Sequence, residues 1–409
     1  MSDQLHLAYI TTGYPYVSHT FIQNEVLALR RLGVTIDTFA VRRESVDECR
    51  TPADREAWET TYPLRPPRVA DYLRAHGAAL TTSPRRYLAA LAGSLRRGRS
   101  APAALARHLS YFGAGVVLWH RCRLRAVQHL HAHFANVSSD LAMIASSLGD
   151  GDLSWSFTMH GPTEFYDVRH FQLGEKARAA QFVVCISEFA RSQLMGLVAP
   201  EQWDKLEVVH CGIDTARFVP PPPAATPEGV RVTCVGRLVP EKAQRLLIEA
   251  AAEVGTRGLD LRLRLAGDGP ERPHLEQLAG ELGVSSRVEF LGAVAHTEID
   301  QLLAQTDIFC LPSFAEGVPI VLMEAMATGI PVVASHVMGI PELIVDGVSG
   351  RLVRPGSRED LVDALTELAR DPARRQALGR AARDRVRSEF DLEDNARLLQ
   401  GTYRKWVSG

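Results

Sequence analysis

Short apolar runs of strand length alternate with helix-patterned stretches along the whole chain, and this alternation narrows the possible folds most. Ahead of residue 219 the strand-like runs are LHLAYITT, VTIDTFAV, AVQHLHAHF, LSWSFTMH, QFVVCIS and KLEVVH, with amphipathic stretches such as FIQNEVLALRRLG between them. Beyond residue 229 come VRVTCVG, LRLRLAG, RVEFLG, DIFCLPS, PVVAS and GRLV, again separated by helical patterns. Strands alternating with helices build parallel sheets covered on both faces. One stretch breaks the pattern, VPPPPAATPEG from Val219 to Gly229, whose four successive prolines mark a linker. The pattern predicts an α/β chain of two Rossmann-like, doubly wound parallel-sheet domains facing a cleft, over 1–218 and 230–390. A length of 409 residues agrees with two domains. In such sheets ligands bind outside the carboxyl ends of the strands.

The segment FAEGVPIVLMEAMATGIPVVAS, Phe314 to Ser335, carries two glutamates eight positions apart, Glu316 and Glu324. DIFCLPS before it reads as a buried strand. Pro319 falls at the first position of a helix, where its missing N–H costs nothing, and Gly329 ends that helix before the next strand. Glu316 then lies on the loop over a helix N-terminus, a ready phosphate site, with Glu324 a turn or more inside. Carboxylates beside a phosphate site suit hydroxyl groups, as on a ribose and a sugar. A sugar nucleotide has both parts.

Arg237 and Lys242 follow the first strand of the second half, where a planar fork and a point charge can hold a diphosphate. Surface charge at a strand–helix junction is the alternative. Two cations with helix-terminal N–H groups make a metal unnecessary for the departing diphosphate. Asp150-Gly151-Asp152 has the D-x-D form of some metal sites, but it sits between a helix and a strand and reads as a turn. His129, His131 and His133 alternate along one strand and share a face. No carboxylate–histidine set elsewhere in the sequence completes a metal site with them, so no metal is expected. His160 ends its strand before Gly161-Pro162, which predicts a ring facing the cleft. Gly13 permits close approach of the first loop to a ligand, with His19 and Thr20 beyond it. The chain has neither G-x-G-x-x-G nor G-x-x-x-x-G-K-[ST], which removes the dinucleotide and NTPase loops.

Net charge is −2, so bulk electrostatics give no reason to expect nucleic acid. No run approaches the ~20 apolar residues of a membrane span, and the start lacks the positive charge of a signal peptide. Six scattered cysteines without a C-x-x-C pair read as buried hydrophobes. A cytoplasmic location is expected, peripheral on the inner membrane face if the following feature binds lipid. Between Asp71 and Asp140 there is no acidic residue, while ten arginines (74, 85, 86, 96, 97, 99, 107, 121, 123 and 125) occur. Tyr87, Leu88, Leu91, Leu95, Tyr111, Phe112 and Trp119 lie among them. Basic amphipathic segments of this kind suit an anionic lipid surface; a solvated arginine face is the bland alternative.

The E-x7-E segment resembles the retaining glycosyltransferases of family 4, and GRLVPEKAQRLLIEA, AGDGPER, RVEFLGAV and GIPELIVDGVSGRLV resemble further landmarks in family order. YPYVSHTFIQNEVLALRRLG, HAHFA, FTMHGPTEFYD and CISEFARSQL resemble the exopolysaccharide branch, of the colanic acid glycosyltransferase type. The resemblance implies the GT-B fold, with the last segment, 391–409, returning to the amino-terminal, acceptor-binding domain. It implies a retaining, metal-independent hexosyltransferase without cofactor, using a UDP- or GDP-sugar and a glycan or polyprenyl-diphosphate-linked acceptor. It places His160, Arg237, Lys242 and Glu316 in catalysis. Donor contacts would come from Gly13, Arg237, Lys242, Gly267, Gly292, Glu316, Gly317, Val318, Pro319 and Glu324. The alternatives are a small soluble acceptor with the same chemistry, and a sugar-nucleotide epimerase of the same fold.

Overall fold

The computed structural model of the chain describes residues 5–15, 20–49, 51–99, 101–220 and 229–407. They form two compact units, Met1–Val209 with Ala396–Gly409, and His210–Asn395. The division falls ahead of the proline-rich stretch, whose residues 221–228 lie outside the described ones, as does His19.

The first unit holds strands β1 (His6–Thr11), β2 (Thr35–Arg42), β3 (Tyr62–Arg65), β4 (His129–His133), β5 (Ser154–Met159), β6 (Phe182–Cys185) and β7 (Leu206–Val208). Their order is β3-β2-β1-β4-β5-β6-β7, and every pair is parallel. The sequence pattern anticipates six of them. It misses β3, a four-residue strand containing Pro63. Proline is tolerated there because an edge strand leaves one side of its backbone unpaired.

The second unit holds β8 (Val230–Val235), β9 (Leu261–Ala266), β10 (Val288–Gly292), β11 (Ile308–Leu311), β12 (Val332–Ser335) and β13 (Arg351–Val353), each matching an expected run. The order is β10-β9-β8-β11-β12-β13, all parallel. In both sheets the chain adds strands outward on one side, then crosses to the other. The crossing lies between β1 and β4 in one sheet and between β8 and β11 in the other. Loops leaving the two strands at such a point diverge and open a crevice at their carboxyl ends.

The helix Leu392–Val407 buries Leu392, Asn395, Ala396, Leu399 and Tyr403, the last three within the first unit. Tyr403 is fully buried, and Trp406 stacks on Phe182 with ring centroids 6.1 Å apart. Beneath Tyr403 runs an unusual polar row, in which His129, His131 and His133 of β4 are wholly buried. The parallel register sets them against Ser154, Ser156 and Thr158 of β5. Leu130 and Ala132, alternating with the histidines, point into the apolar core on the opposite face.

Candidate active site

In the second unit the candidate residues gather at the crossing between β8 and β11. β8 ends at Val235, and the chain passes through Gly236 and Arg237 into a single turn, Pro240–Lys242. Ala243 then takes a left-handed conformation (φ 52°), which costs a non-glycine residue roughly 1 kcal/mol. The turn is held by the Ala243 N–H donating to Pro240 O at 3.1 Å and by Gln244 Nε2 donating to Arg237 O at 2.9 Å. The result is that Arg237 is exposed, while Lys242 Nζ donates to Glu316 Oε1 at 2.5 Å.

Glu316 belongs to the loop after β11 and is 8% exposed. The loop is anchored by the Phe314 N–H, which donates to Glu241 O at 2.8 Å. Gly317, Val318 and Pro319 lead from it into the helix Ile320–Ala327. Here the expectation needs one correction. Pro319 is the N-cap, with extended backbone, and its carbonyl accepts from the Leu322 and Met323 N–H groups; the first helical residue is Ile320. Gly329 does end the helix. Its φ is +80°, and the bonds from Gly329 N–H to Met326 O and from Ile330 N–H to Ala325 O form a Schellman cap.

Glu324 lies inside this helix and is 3% exposed. Burial pushes its carboxyl up to about 8, with Arg217 pulling the other way and Asp300 adding to the rise. Gly267 and Gly292 stand at the ends of β9 and β10, joined by a 2.7 Å bond from the Gly267 N–H to Gly292 O. A Cβ on Gly267, at φ +144°, would fall 1.9 Å from Gly236 O, so only glycine lets the two backbones meet there. The carboxyl edge of β8, β9 and β10 is thus a low, glycine-lined rim beside Lys242 and Glu316.

In the first unit the crossing between β1 and β4 carries the other candidates. Gly13 follows β1, and a Cβ there would meet Glu44 Oε1 at 2.5 Å. His160 follows β5 and is 7% exposed, more enclosed than its position before Gly161-Pro162 suggests. Its ring lies against Phe21 and Phe134, with centroids 4.9 and 4.7 Å away, and its Nε2 is 2.8 Å from His133 Nδ1. His133 Nε2 is in turn 3.6 Å from Glu25 Oε1.

Glu25 corrects the reading of the histidine row. The fold does supply a carboxylate, since ligand atoms of Glu25, His131 and His133 all lie within 4.8 Å of one another. Both nitrogens of His131 are already engaged, with Ser156 Oγ at 2.7 Å and Thr158 Oγ1 at 2.8 Å. A usable signal for Glu25 was present: it shares the helix stripe of buried Ile22, Val26 and Leu29. Ser313, just after β11, was also missed; its Oγ is buried with no hydrogen-bond partner among the described residues. Nothing in the sequence marks it beyond its place after a strand.

Asp150 and Asp152 form exposed bends around Gly151 (φ +90°), at the amino end of β5, and Asp150 pairs with Arg86. That is the sheet edge opposite His160. The arginine-rich region is less uniform than its sequence. Arg97 pairs with Glu175, Arg121 with Asp71 and Arg125 with Asp37, while Arg123 donates to Thr82 Oγ1. Phe112 and Trp119 are buried, and Tyr87, Leu91 and Tyr111 pack on the core. One exposed stripe runs along the helix Pro84–Gly98 and past its end: Arg85, Leu88, Ala89, Ala92, Leu95, Arg96 and Arg99; Arg74 and Arg107 are exposed elsewhere in the region. Val69, Leu73 and Leu80 of the preceding helix, Val69–Thr82, are exposed too. No helix among the described residues is long and apolar enough to cross a membrane.

Comparison with known proteins bears on this geometry. Residues 221–385 match the family described as Glycosyl transferases group 1. The chain is similar to the GDP-mannose-dependent alpha-(1-6)-phosphatidylinositol monomannoside mannosyltransferase of Mycolicibacterium smegmatis, 34% identical over 50% of this chain and 57% of that protein. It is similar to the colanic acid biosynthesis glycosyltransferase WcaL of Escherichia coli (strain K12), 31% identical over 54% of this chain and 57% of that protein. The chain thus matches only a little over half the length of these curated relatives. Among solved structures, Anabaena Alr3699/HepE in complex with UDP-glucose superposes with a TM-score of 0.73 at 18% identity, covering 98% of this chain and 100% of that one. The expected GT-B fold is the fold observed.

Proposed function

We propose, from the premise that residues 221–385 form a glycosyl transferases group 1 domain, that the chain moves a hexose from a nucleoside diphosphate sugar to a glycan hydroxyl. The observation that carries this reading is the Lys242–Glu316 pair at 2.5 Å on the β8–β11 crossing, with Arg237 exposed on the same loop as Lys242 and Glu324 buried in the helix that follows Glu316. An anionic diphosphate arriving there competes with Glu316 for Lys242. Glu316 is then released to accept from sugar hydroxyls as Lys242 and Arg237 turn to the phosphates. Charge growing on the leaving diphosphate is met by both cations, an electrostatic effect that acts mainly in the transition state.

Retention of anomeric configuration follows in this reading from same-face displacement, the leaving phosphate taking the acceptor's proton. Neither glutamate serves as a nucleophile, because both are assigned to donor hydroxyls. No metal or cofactor has a part in it. His160 and Gly13 are assigned to the donor sugar on the family resemblance.

For the acceptor we favour a lipid-linked glycan in surface-polysaccharide synthesis. The arginine–leucine stripe of the helix Pro84–Gly98 supports it, since exposed arginines flank apolar side chains there and the helix itself carries no acid. The test is nucleotide release from UDP- and GDP-sugars in EDTA, with membrane lipid extract as acceptor and the product anomer read by NMR. Release that depends on the extract and retains configuration is expected. Activity lost in EDTA and restored by manganese, or an inverted product, overturns the mechanism. Turnover on soluble acceptors alone overturns the acceptor.

A further inference from the structure

The mechanism above leaves unused a connected row of buried polar groups. Tyr403 Oη lies 2.7 Å from Tyr9 Oη, which donates to Glu25 Oε1 at 2.8 Å. Glu25 Oε1 is 3.6 Å from His133 Nε2, and His133 Nδ1 is 2.8 Å from His160 Nε2. The chain therefore runs from the C-terminal helix to His160, which follows β5 at the carboxyl edge of the sheet. Tyr9, His133 and Tyr403 are almost wholly buried.

We propose that Glu25 and His133 are positioning residues that set which proton state His160 presents, so that the charge on Glu25 decides whether His160 Nδ1 is an acceptor or a donor. The logic is one of proton counting. An ionised Glu25 draws a proton onto His133 Nε2; at 3.6 Å the contact is too long for a hydrogen bond but close enough for charge to choose the tautomer. His133 Nδ1 is then a lone pair, and the 2.8 Å contact requires His160 Nε2 to be the donor. His160 Nδ1 is left as an acceptor.

Proton uptake reverses every step. A proton enters at His160 Nδ1, the Nε2 proton of His160 crosses to His133 Nδ1, and the Nε2 proton of His133 passes to Glu25 when motion shortens the 3.6 Å contact to hydrogen-bond length. Glu25 becomes neutral, each ring keeps one proton, and His160 Nδ1 is now a donor. One proton is bound in all, and neither imidazole becomes charged. The surroundings favour this route over an imidazolium. Burial holds His129 and His131 well below the usual histidine range. Among the described residues, the titratable groups facing Glu25 are Tyr9 on β1, His131 and His133 on β4 and Tyr403 on the C-terminal helix, with Tyr14, which also feels Arg30, on the loop after β1. Burial raises the Glu25 carboxyl to about 7, with the Tyr9 hydrogen bond opposing the rise, so the exchange falls in an accessible range.

The consequence for activity rests on the assignment of His160 to the donor sugar; the proton exchange does not. The test is 15N NMR of the full chain labelled at histidine, in chelated buffer without donor, with the His160 signals identified by their loss in His160→Asn. Between pH 5.5 and 8.5, His160 Nδ1 is expected to pass from a protonated, pyrrole-like shift to a bare, pyridine-like one, with a midpoint near 7. Glu25→Gln should abolish the transition. Tyr9→Phe, a conservative change, should move the midpoint upward, because it removes the bond that favours the ionised carboxyl.

One tautomer throughout, a doubly protonated His160 at low pH, or a transition that survives Glu25→Gln overturns the proposal. So does stoichiometric zinc binding that shifts His131 and His133, which would make the cluster a metal centre. If the NMR transition occurs but Glu25→Gln leaves the pH profile of donor turnover unchanged, the exchange stands and the donor assignment of His160 fails.

Discussion

Replacing Glu324 by glutamine tests whether this carboxylate is kept for a ligand or for the fold. Glu324 is 3% exposed, and burial moves its carboxyl from 4.5 to about 8. The sign follows from the two states. In the unfolded chain the group ionises near its ordinary value, while the folded chain holds the proton to about pH 8. Over that window the unfolded state releases the proton first, so raising the pH favours unfolding by about 1.4 kcal/mol per unit. Across a rise from 4.5 to about 8 the loss reaches roughly 5 kcal/mol as an upper bound. Partial entry of water lowers this to about 2 kcal/mol. Glutamine has the same shape and no charge, so Glu324→Gln should be more stable than the natural chain at pH 8.5 and little changed at pH 5. For a unit of this size about 2 kcal/mol raises Tm by roughly 4–8 °C. Calorimetry of the ligand-free protein at both pH values, with Tm compared between variant and natural chain, measures it. An equal Tm difference at the two pH values, or a less stable variant at pH 8.5, refutes the reasoning. The same variant should raise the donor KM, which would mark Glu324 as a residue retained for binding against the interest of the fold.

Three further outcomes are expected. Lys242→Met should lower kcat by about 10²–10³, the cost of one preorganised charge donor at a developing anion, and Glu316→Gln should lower kcat more than it raises KM; nucleotide-release kinetics separate the two. Gly267→Ala should abolish donor binding and lower Tm, because its Cβ would sit 1.9 Å from Gly236 O; an active, stable variant would mean that the rim is not rigid. Charge reversal of Arg85, Arg96 and Arg99 should remove binding to anionic vesicles in a flotation assay without changing Tm, whereas Arg121→Ala should lower Tm, because Arg121 holds Asp71 at 2.7 Å.

The sheets were legible because parallel strands are short stretches rich in apolar side chains, and twelve of the strands fall in such stretches of the sequence. β3 was not, since Tyr62-Pro63-Leu64-Arg65 has neither the length nor the composition of one. E-x7-E was legible because its spacing and flanking residues are local. The Glu25–His133–His160 contacts were not, because they join a helix and two strands through tertiary packing. Glu25 alone could have been singled out, as a carboxylate on an apolar stripe. The arginine-rich region misled for a related reason. Composition counts arginines but does not say which find a carboxylate from a distant segment, as Arg97 finds Glu175 and Arg125 finds Asp37.

The seating of Tyr403 on the first sheet has a consequence for biosynthesis. The unit that begins at the amino terminus also needs residues 396–409, so the part translated first is finished last. The intervening stretch from His210 to Asn395 takes on the order of 10 to 40 s to translate at 5–20 residues per second. Through that interval the sheet surface destined for the C-terminal helix faces water. Beside Tyr9 and Phe182 it carries His129, His131, Ser154, Ser156 and Thr158 where an ordinary core would carry leucine and valine. Those side chains can be hydrated, so the nascent unit waits for its cover with a surface more wettable than an all-apolar one, Phe182 being its main apolar patch.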